Sequence, residues 1–119
     1  MKADLRNAEV IIKDGVANLQ KGIETVGGKL YLTNQRILFE AHAFNVQSGL
    51  TEIEIANLRS VEKSWTKFLG FVPLFPNSLS VYTTQGNEYR FVLFGRDAWA
   101  ETIAATIQRA SGYKDASAR

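Results

Sequence analysis

The chain has 119 residues, 45% hydrophobic and 22% charged, which is one ordinary globular domain with enough chain to bury a core without staples. Fourteen basic residues against twelve acidic leave +2, too little to draw the protein to nucleic acid or anionic lipid by charge alone. With no cysteine, disulfides, thiolate metal sites and cysteine nucleophiles are excluded, and the single histidine, His42, excludes any site built on two imidazoles.

The first fifteen residues admit two readings. Glu9-Val10-Ile11-Ile12 can be a strand with Asp14-Gly15 as its hairpin turn. Alternatively, and preferred here, Asp4 to Ala8 forms one short helical turn leading into the first strand. From Val16 to Leu93 most of the chain alternates with period two, the pattern of half-buried strands. Val16 to Ile23 sets Ala17, Leu19 and Ile23 on one side. Gly27-Gly28 is a turn signal. Lys29 to Thr33 sets Leu30 and Leu32 on one face, and Asn34-Gln35 is a two-residue turn into Arg36–Ala41, where Ile37, Phe39 and Ala41 share a face. Leu50 to Ile55 and Arg59 to Trp65 continue the alternation. Leu79, Val81 and Thr83 form the next inner row, Thr84-Gln85-Gly86-Asn87 a turn, and Tyr89, Phe91 and Leu93 the last row. The period then changes. Trp99, Ile103, Ile107 and Ala110 recur at helical spacing, opposite Thr102, Thr106 and Gln108. Asp97 sits at the positive end and Gly112 is the expected stop. No stretch is long and apolar enough to span a membrane, and Met1 to Arg6 lack the apolar run of a secretion signal. The expected location is the cytoplasm, extending to the membrane periphery. The tail from Gly112 is small and polar and is expected to fray.

Strands in succession followed by one helix are an α+β pattern. A long antiparallel sheet curls or splits into two packed layers, and the helix, led by Trp99, is the natural plug for one open end. The segment Gly28-Lys29-Leu30-Tyr31-Leu32-Thr33-Asn34-Gln35-Arg36-Ile37-Leu38-Phe39 resembles the signature of the GRAM family, whose fold is pleckstrin-homology-like. Its pattern is a glycine, an apolar-tyrosine-apolar strand, a Thr-Asn turn, then a basic residue and an apolar strand. Thr51 to Val61 and Asn87 to Phe91, followed by Trp99 and Ile103, extend the resemblance over about residues 16 to 111. It is the small, stand-alone, bacterial-type members that the chain resembles. The expected fold is α+β, mainly β: a barrel of about seven antiparallel strands in two packed sheets, capped by one C-terminal amphipathic helix. The division is a lead-in over 1–15, the domain over 16–111 and a flexible tail over 112–119. The resemblance implies a non-catalytic module of membrane-linked processes that binds lipid or protein. Arg36, after the turn, reads as a solvated or stacked structural residue rather than a ligand contact.

Three features bear on chemistry. Glu40 and His42 share a strand face and could act as a general base. No further titratable group joins them at a recognisable spacing, so strand-surface charge is preferred and no residue is assigned as catalytic. Gly27-Gly28 lacks the rest of a phosphate-binding loop, and the acids are scattered without metal-ligand spacing, so no cofactor or metal is assigned. In lipid-binding pleckstrin-homology-like domains, the loop between the first two strands is expected to carry basic residues. Here that loop would be Glu24-Thr25-Val26-Gly27-Gly28, with only Lys21 and Lys29 beside it, too few to clamp a phosphate. The best remaining basic set is Lys63 and Lys67 with Arg59.

The third feature is Phe68-Leu69-Gly70-Phe71-Val72-Pro73-Leu74-Phe75-Pro76, apolar throughout yet broken by two prolines, which reads as a loop and not a central strand. Exposed, it is a contact patch, with Trp65, Lys67 and Lys63 suiting a membrane interface. Folded back, the same side chains close the barrel end that the helix leaves open. The expected binding set is Lys63, Trp65, Lys67, Phe68, Phe71 and Phe75. The partner is a membrane lipid or a protein, not nucleic acid, with a homo-oligomer as a further possibility. The alternative is a self-associating or partner-binding scaffold without lipid affinity.

Overall fold

The computed structural model of the chain describes all residues except 22–23, 46–47, 69–71 and 118–119. Seven strands follow one another: β1 (Ile11–Lys21), β2 (Glu24–Thr33), β3 (Arg36–Asn45), β4 (Ser48–Glu54), β5 (Leu58–Phe68), β6 (Val72–Thr83) and β7 (Glu88–Leu93). A 3-10 turn, Ile55–Asn57, separates β4 from β5, and helix α1 (Arg96–Ser117) follows β7.

The strands form one antiparallel sheet in the order β4-β3-β2-β1-β7-β6-β5. The expected two packed sheets are therefore two halves of one hydrogen-bonded sheet that folds over itself. The aromatic pair Phe39–Phe91 shows this. β2 and β1 lie between β3 and β7, so a flat sheet would hold the two rings roughly 14 Å apart; their centroids are 5.9 Å apart. The enclosed core collects the alternating inner residues read from the sequence: Ala17, Leu19, Leu30, Leu32, Ile37, Phe39, Ile53, Leu79, Val81, Phe91 and Leu93. The tight turn at Asn34-Gln35 is as expected, with Leu32 opposite Ile37. The turn after β6 holds Gly86 at φ 89°, a left-handed conformation that glycine adopts without penalty.

Helix α1 closes one end. Trp99 and Ile103 are buried in the same core, with Ile107 and Ala110 packed against it. Gly95, at φ 68°, precedes the helix and accepts the Trp99 N–H at 3.0 Å. Under the indole lies Gly15, where a Cβ would stand 3.5 Å from the ring.

Five local expectations are corrected. Asp14-Gly15 is not a turn, and β1 starts at Ile11 instead of Val16, because Gly15 makes room for Trp99 inside the strand, paired with Leu30. Asp4 to Ala8 is not helical; the segment makes one hydrogen-bonded turn, Glu9 N–H to Arg6 C=O, with Ala8 at φ 61°. Gly27-Gly28 lies within β2. Gly28 serves close approach rather than a turn: a Cβ there would stand 2.3 Å from the Glu40 carbonyl oxygen. The helix runs through Gly112 to Ser117, since one glycine lowers helix propensity by about 1 kcal/mol and does not by itself end the ladder. Thr106, placed by its polarity on the outer face, is buried, and its hydroxyl donates to the Thr102 carbonyl at 2.8 Å, which makes its burial affordable.

Candidate functional site

Two regions carry features beyond the core. The first is the β5–β6 hairpin. β5 and β6 pair from Leu58–Thr83 out to Phe68–Val72, whereas β6 pairs with β7 only from Ser78–Val92 to Tyr82–Glu88. Beyond Ser78 the hairpin continues as a two-stranded ribbon. The expectation of an irregular loop over 68–76 is thus corrected: Val72 to Phe75 and the prolines at 73 and 76 belong to β6. Proline lacks the N–H a ladder needs; both prolines sit in the stretch that β7 does not pair, beside register shifts at Ser64/Thr66 and Thr66/Lys67.

Of the expected binding set, Lys63 is described fully. It lies opposite Leu79, is half exposed, and its Nζ is 3.1 Å from Asp97 in the first turn of α1. Trp65, Lys67 and Phe68 stand in β5 and Phe75 in β6. The side chains of these four, and Phe71 altogether, lie outside the described residues, and so does the alternative in which they plug the barrel end. The ribbon register does bring Thr66 opposite Phe75 and Phe68 opposite Val72.

The second region is the outer face of β2, β3 and β4, crossed by residues 1–10. Arg36 is buried, not solvated. Its Nε and Nη2 donate to the Glu9 carboxylate at 2.8 and 3.0 Å, its Nη1 to Glu52, and its Nη2 also to the Asp4 carbonyl at 2.9 Å. The Thr33 hydroxyl donates to Glu9 at 2.6 Å and accepts the Gln35 and Arg36 N–H groups at 3.0 and 2.9 Å. Arg6 donates to Glu54 through both terminal guanidinium nitrogens, Nη1 and Nη2. Burial by itself would raise the Glu9 carboxyl; the Arg36 guanidinium, the Arg6 N–H and the Thr33 hydroxyl outweigh it and hold the group at about 2. Glu40 is also buried. Its two oxygens accept the N–H groups of Lys2 and Ala3 at 3.0 and 2.7 Å. Leu38 lies between Arg36 and Glu40 on this face and is fully buried, with Tyr31 opposite it. The Thr-Asn turn is thus a clasp for the N-terminal segment. Glu40 is held by that segment, while His42, two residues on, is exposed.

The model of the GRAM domain matches residues 1–111, so it takes in the clasp as well as the barrel. The chain belongs to the GRAM domain family. Among solved structures, this GRAM domain is similar to the C-terminal domain of an unknown protein from Leishmania infantum (TM-score 0.71, 16% identity, 86% of this chain and 87% of that one). It is also similar to the Vps36 N-terminal PH domain (TM-score 0.69, 19% identity, 91% of this chain and 86% of that one). These likenesses give the pleckstrin-homology-like fold. No curated protein matches the chain in sequence. GRAM and pleckstrin-homology-like domains are typically non-catalytic modules that bind lipid or protein.

Two further surfaces of this GRAM domain lie outside those regions. The stretch Glu24–Gly28, expected as the loop after the first strand, is strand. Lys29 beside it is 3.6 Å from Asp14 and lies over the Tyr31 ring at 5.4 Å. On the outer face of β1 and β7, a groove of about 260 Å³ is lined by Val16, Asn18, Asn77, Val92 and Phe94. Phe94 is 93% exposed and Val16 69%. Sequence reading passed over both; the available signal was that Phe94 and Val16 fall out of phase with the inner rows Phe91-Leu93 and Ala17-Leu19. No helix among the described residues is long and apolar enough to cross a membrane.

Proposed function

We propose that this GRAM domain is a non-catalytic interaction module, working on the cytoplasmic side of a membrane, that contacts lipid through the tip of the β5–β6 ribbon. The observation that carries this reading is the ribbon itself. Its outer half lies past the last β6–β7 pair, yet its sequence holds Trp65, Phe68, Leu69, Phe71, Val72, Leu74 and Phe75. Two-stranded ribbons are marginal in water, and an apolar ribbon gains from a low-dielectric partner.

Magnitudes define what else is needed. Burying two phenylalanines gives roughly 3–6 kcal/mol, and a dissociation constant of 1 mM already corresponds to about 4 kcal/mol. The tip alone therefore holds a bilayer marginally. Lys67 supplies a cation for anionic lipid, while Lys63 is shared with Asp97. Several copies or a second tether would complete the attachment. No catalytic residue, cofactor or nucleic acid belongs to this reading.

A second reading, a self-associating or partner-binding scaffold, is favoured by the strand order, which leaves β4 and β5 at the two edges of the sheet. Edge strands accept an added strand.

Co-sedimentation separates the two. The protein is expected to pellet with vesicles containing phosphatidylserine and less with phosphatidylcholine alone. Phe71→Asp and Phe75→Asp should abolish pelleting with unchanged melting curves. No pelleting, with light scattering that rises with concentration, supports the scaffold. Unfolding of both variants would make these side chains a barrel plug.

A further inference from the structure

We propose that the outer face of β2 and β3 is a peptide-recognition surface held in cis by residues 2–10, and that its partner is a protein segment that carries one anchoring glutamate at the end of a tight turn. The body binds its own residues 2–10 the way a cleft binds a peptide. Six main-chain groups of the segment are met by side chains of β3 and of the turn before it. Glu40 takes the N–H groups of Lys2 and Ala3, and Arg36 the carbonyl of Asp4. Gln35 Nε2 donates to the Asn7 carbonyl at 2.9 Å, and Asn34 Nδ2 to the Ala8 carbonyl at 3.1 Å. Asn34 Oδ1 accepts the Val10 N–H at 2.9 Å.

Such contacts read backbone and not sequence, and specificity comes from the one side chain that is sunk. That side chain is Glu9, on Arg36 and Thr33. Main-chain bonds for affinity and one anchor for choice are a recurring mode of peptide recognition.

Two observations make the segment replaceable. Leu5 and Val10 are exposed rather than sunk, so the segment does not anchor itself with them. Ala8 holds φ 61°, a left-handed conformation that is strained for a residue with a Cβ. A partner segment with glycine there would make the same bonds unstrained. The surface it would cover includes Tyr31 and Leu38. Because the resident segment acts at an effective concentration in the millimolar range, a partner in trans gains access only when the clasp is opened. This surface is distinct from the ribbon, so the inference stands or falls apart from the membrane reading.

The test uses the full chain with Glu9→Ala and a fluorescein-labelled synthetic peptide copying residues 1–10, read by anisotropy. The wild-type chain should not bind the peptide below about 1 mM. The folded variant should bind it, and at least about tenfold less well when the peptide carries Gln at its ninth position. A folded variant that ignores the peptide, or that binds both peptides equally, overturns the proposal. If Glu9→Ala does not give a cooperative melt, Glu9→Gln replaces it. Failure of both to fold overturns the proposal as well, since a segment the body cannot fold without is no exchangeable ligand.

Discussion

The outer faces of β2–β3 and of β1–β7 belong to one sheet and follow one alternation, yet they end in opposite states. On the first, Arg36 and Glu40 are 4% and 6% exposed; on the second, Val16 and Phe94 stand in water. The usual rule is inverted on both. The difference is a ten-residue segment without regular structure, which covers one face and not the other. Charge is tolerable under it because each buried charge is matched: Arg36 by Glu9 and Glu52, Glu40 by two N–H groups. Burial here is decided by what lies on top of a residue, not by its own polarity.

The sharpest way to break the contrast is Arg36→Ala. It strands the Glu9 carboxylate in a dry site, and removing one partner of a buried pair costs about 3–5 kcal/mol, a large share of the roughly 5–15 kcal/mol a domain possesses. A urea melt should show most of that loss. Acid should do the same without mutation. The Glu9 carboxyl sits at about 2 when folded against 4.5 ordinarily. A depressed group stabilises fully above its unfolded value and loses that contribution as pH falls toward its folded one. Stability should therefore be flat above about pH 5 and lose about 3 kcal/mol toward about pH 2; a Glu9→Gln chain should lose less over the same interval, as measured by denaturant titration at each pH.

Smaller is Gly28→Ala, where the new methyl would meet the Glu40 carbonyl at 2.3 Å. Overpacking of that kind costs about 1–3 kcal/mol, and it should lower the midpoint of a thermal melt while leaving the clasp's pH dependence intact. Smallest of all is Phe94→Ser on the open face. With 93% of the residue already exposed, the change should stay within about 0.5 kcal/mol in the same melt. A larger loss would mean that face is covered in solution.

Much of this was legible in the residues. The inner rows, the Asn34-Gln35 reversal and the Trp99-led helix follow from periods of two and 3.6 and from turn chemistry, which act over neighbouring positions. The clasp was not. Thr33, Asn34, Gln35 and Arg36 were readable as a turn, but their partners at positions 4 to 10 lie more than twenty residues away in sequence. No local pattern encodes a contact of that range. Gly15, Gly27 and Gly28 misled for a related reason. Glycine signals a turn and a close approach alike, and only the neighbour across the sheet tells which.

The sequence by itself determined the class of the fold, the composition of its core and the family it belongs to, because alternation and helical spacing state which side of each element must leave water. Tertiary structure alone decided that Arg36, Glu9 and Glu40 are interior while Phe94 is not, and that Val72 to Phe75 belong to a paired strand. Those outcomes depend on which distant segment lies across a surface, and on where a neighbouring strand stops pairing, and neither is a property of the residues concerned.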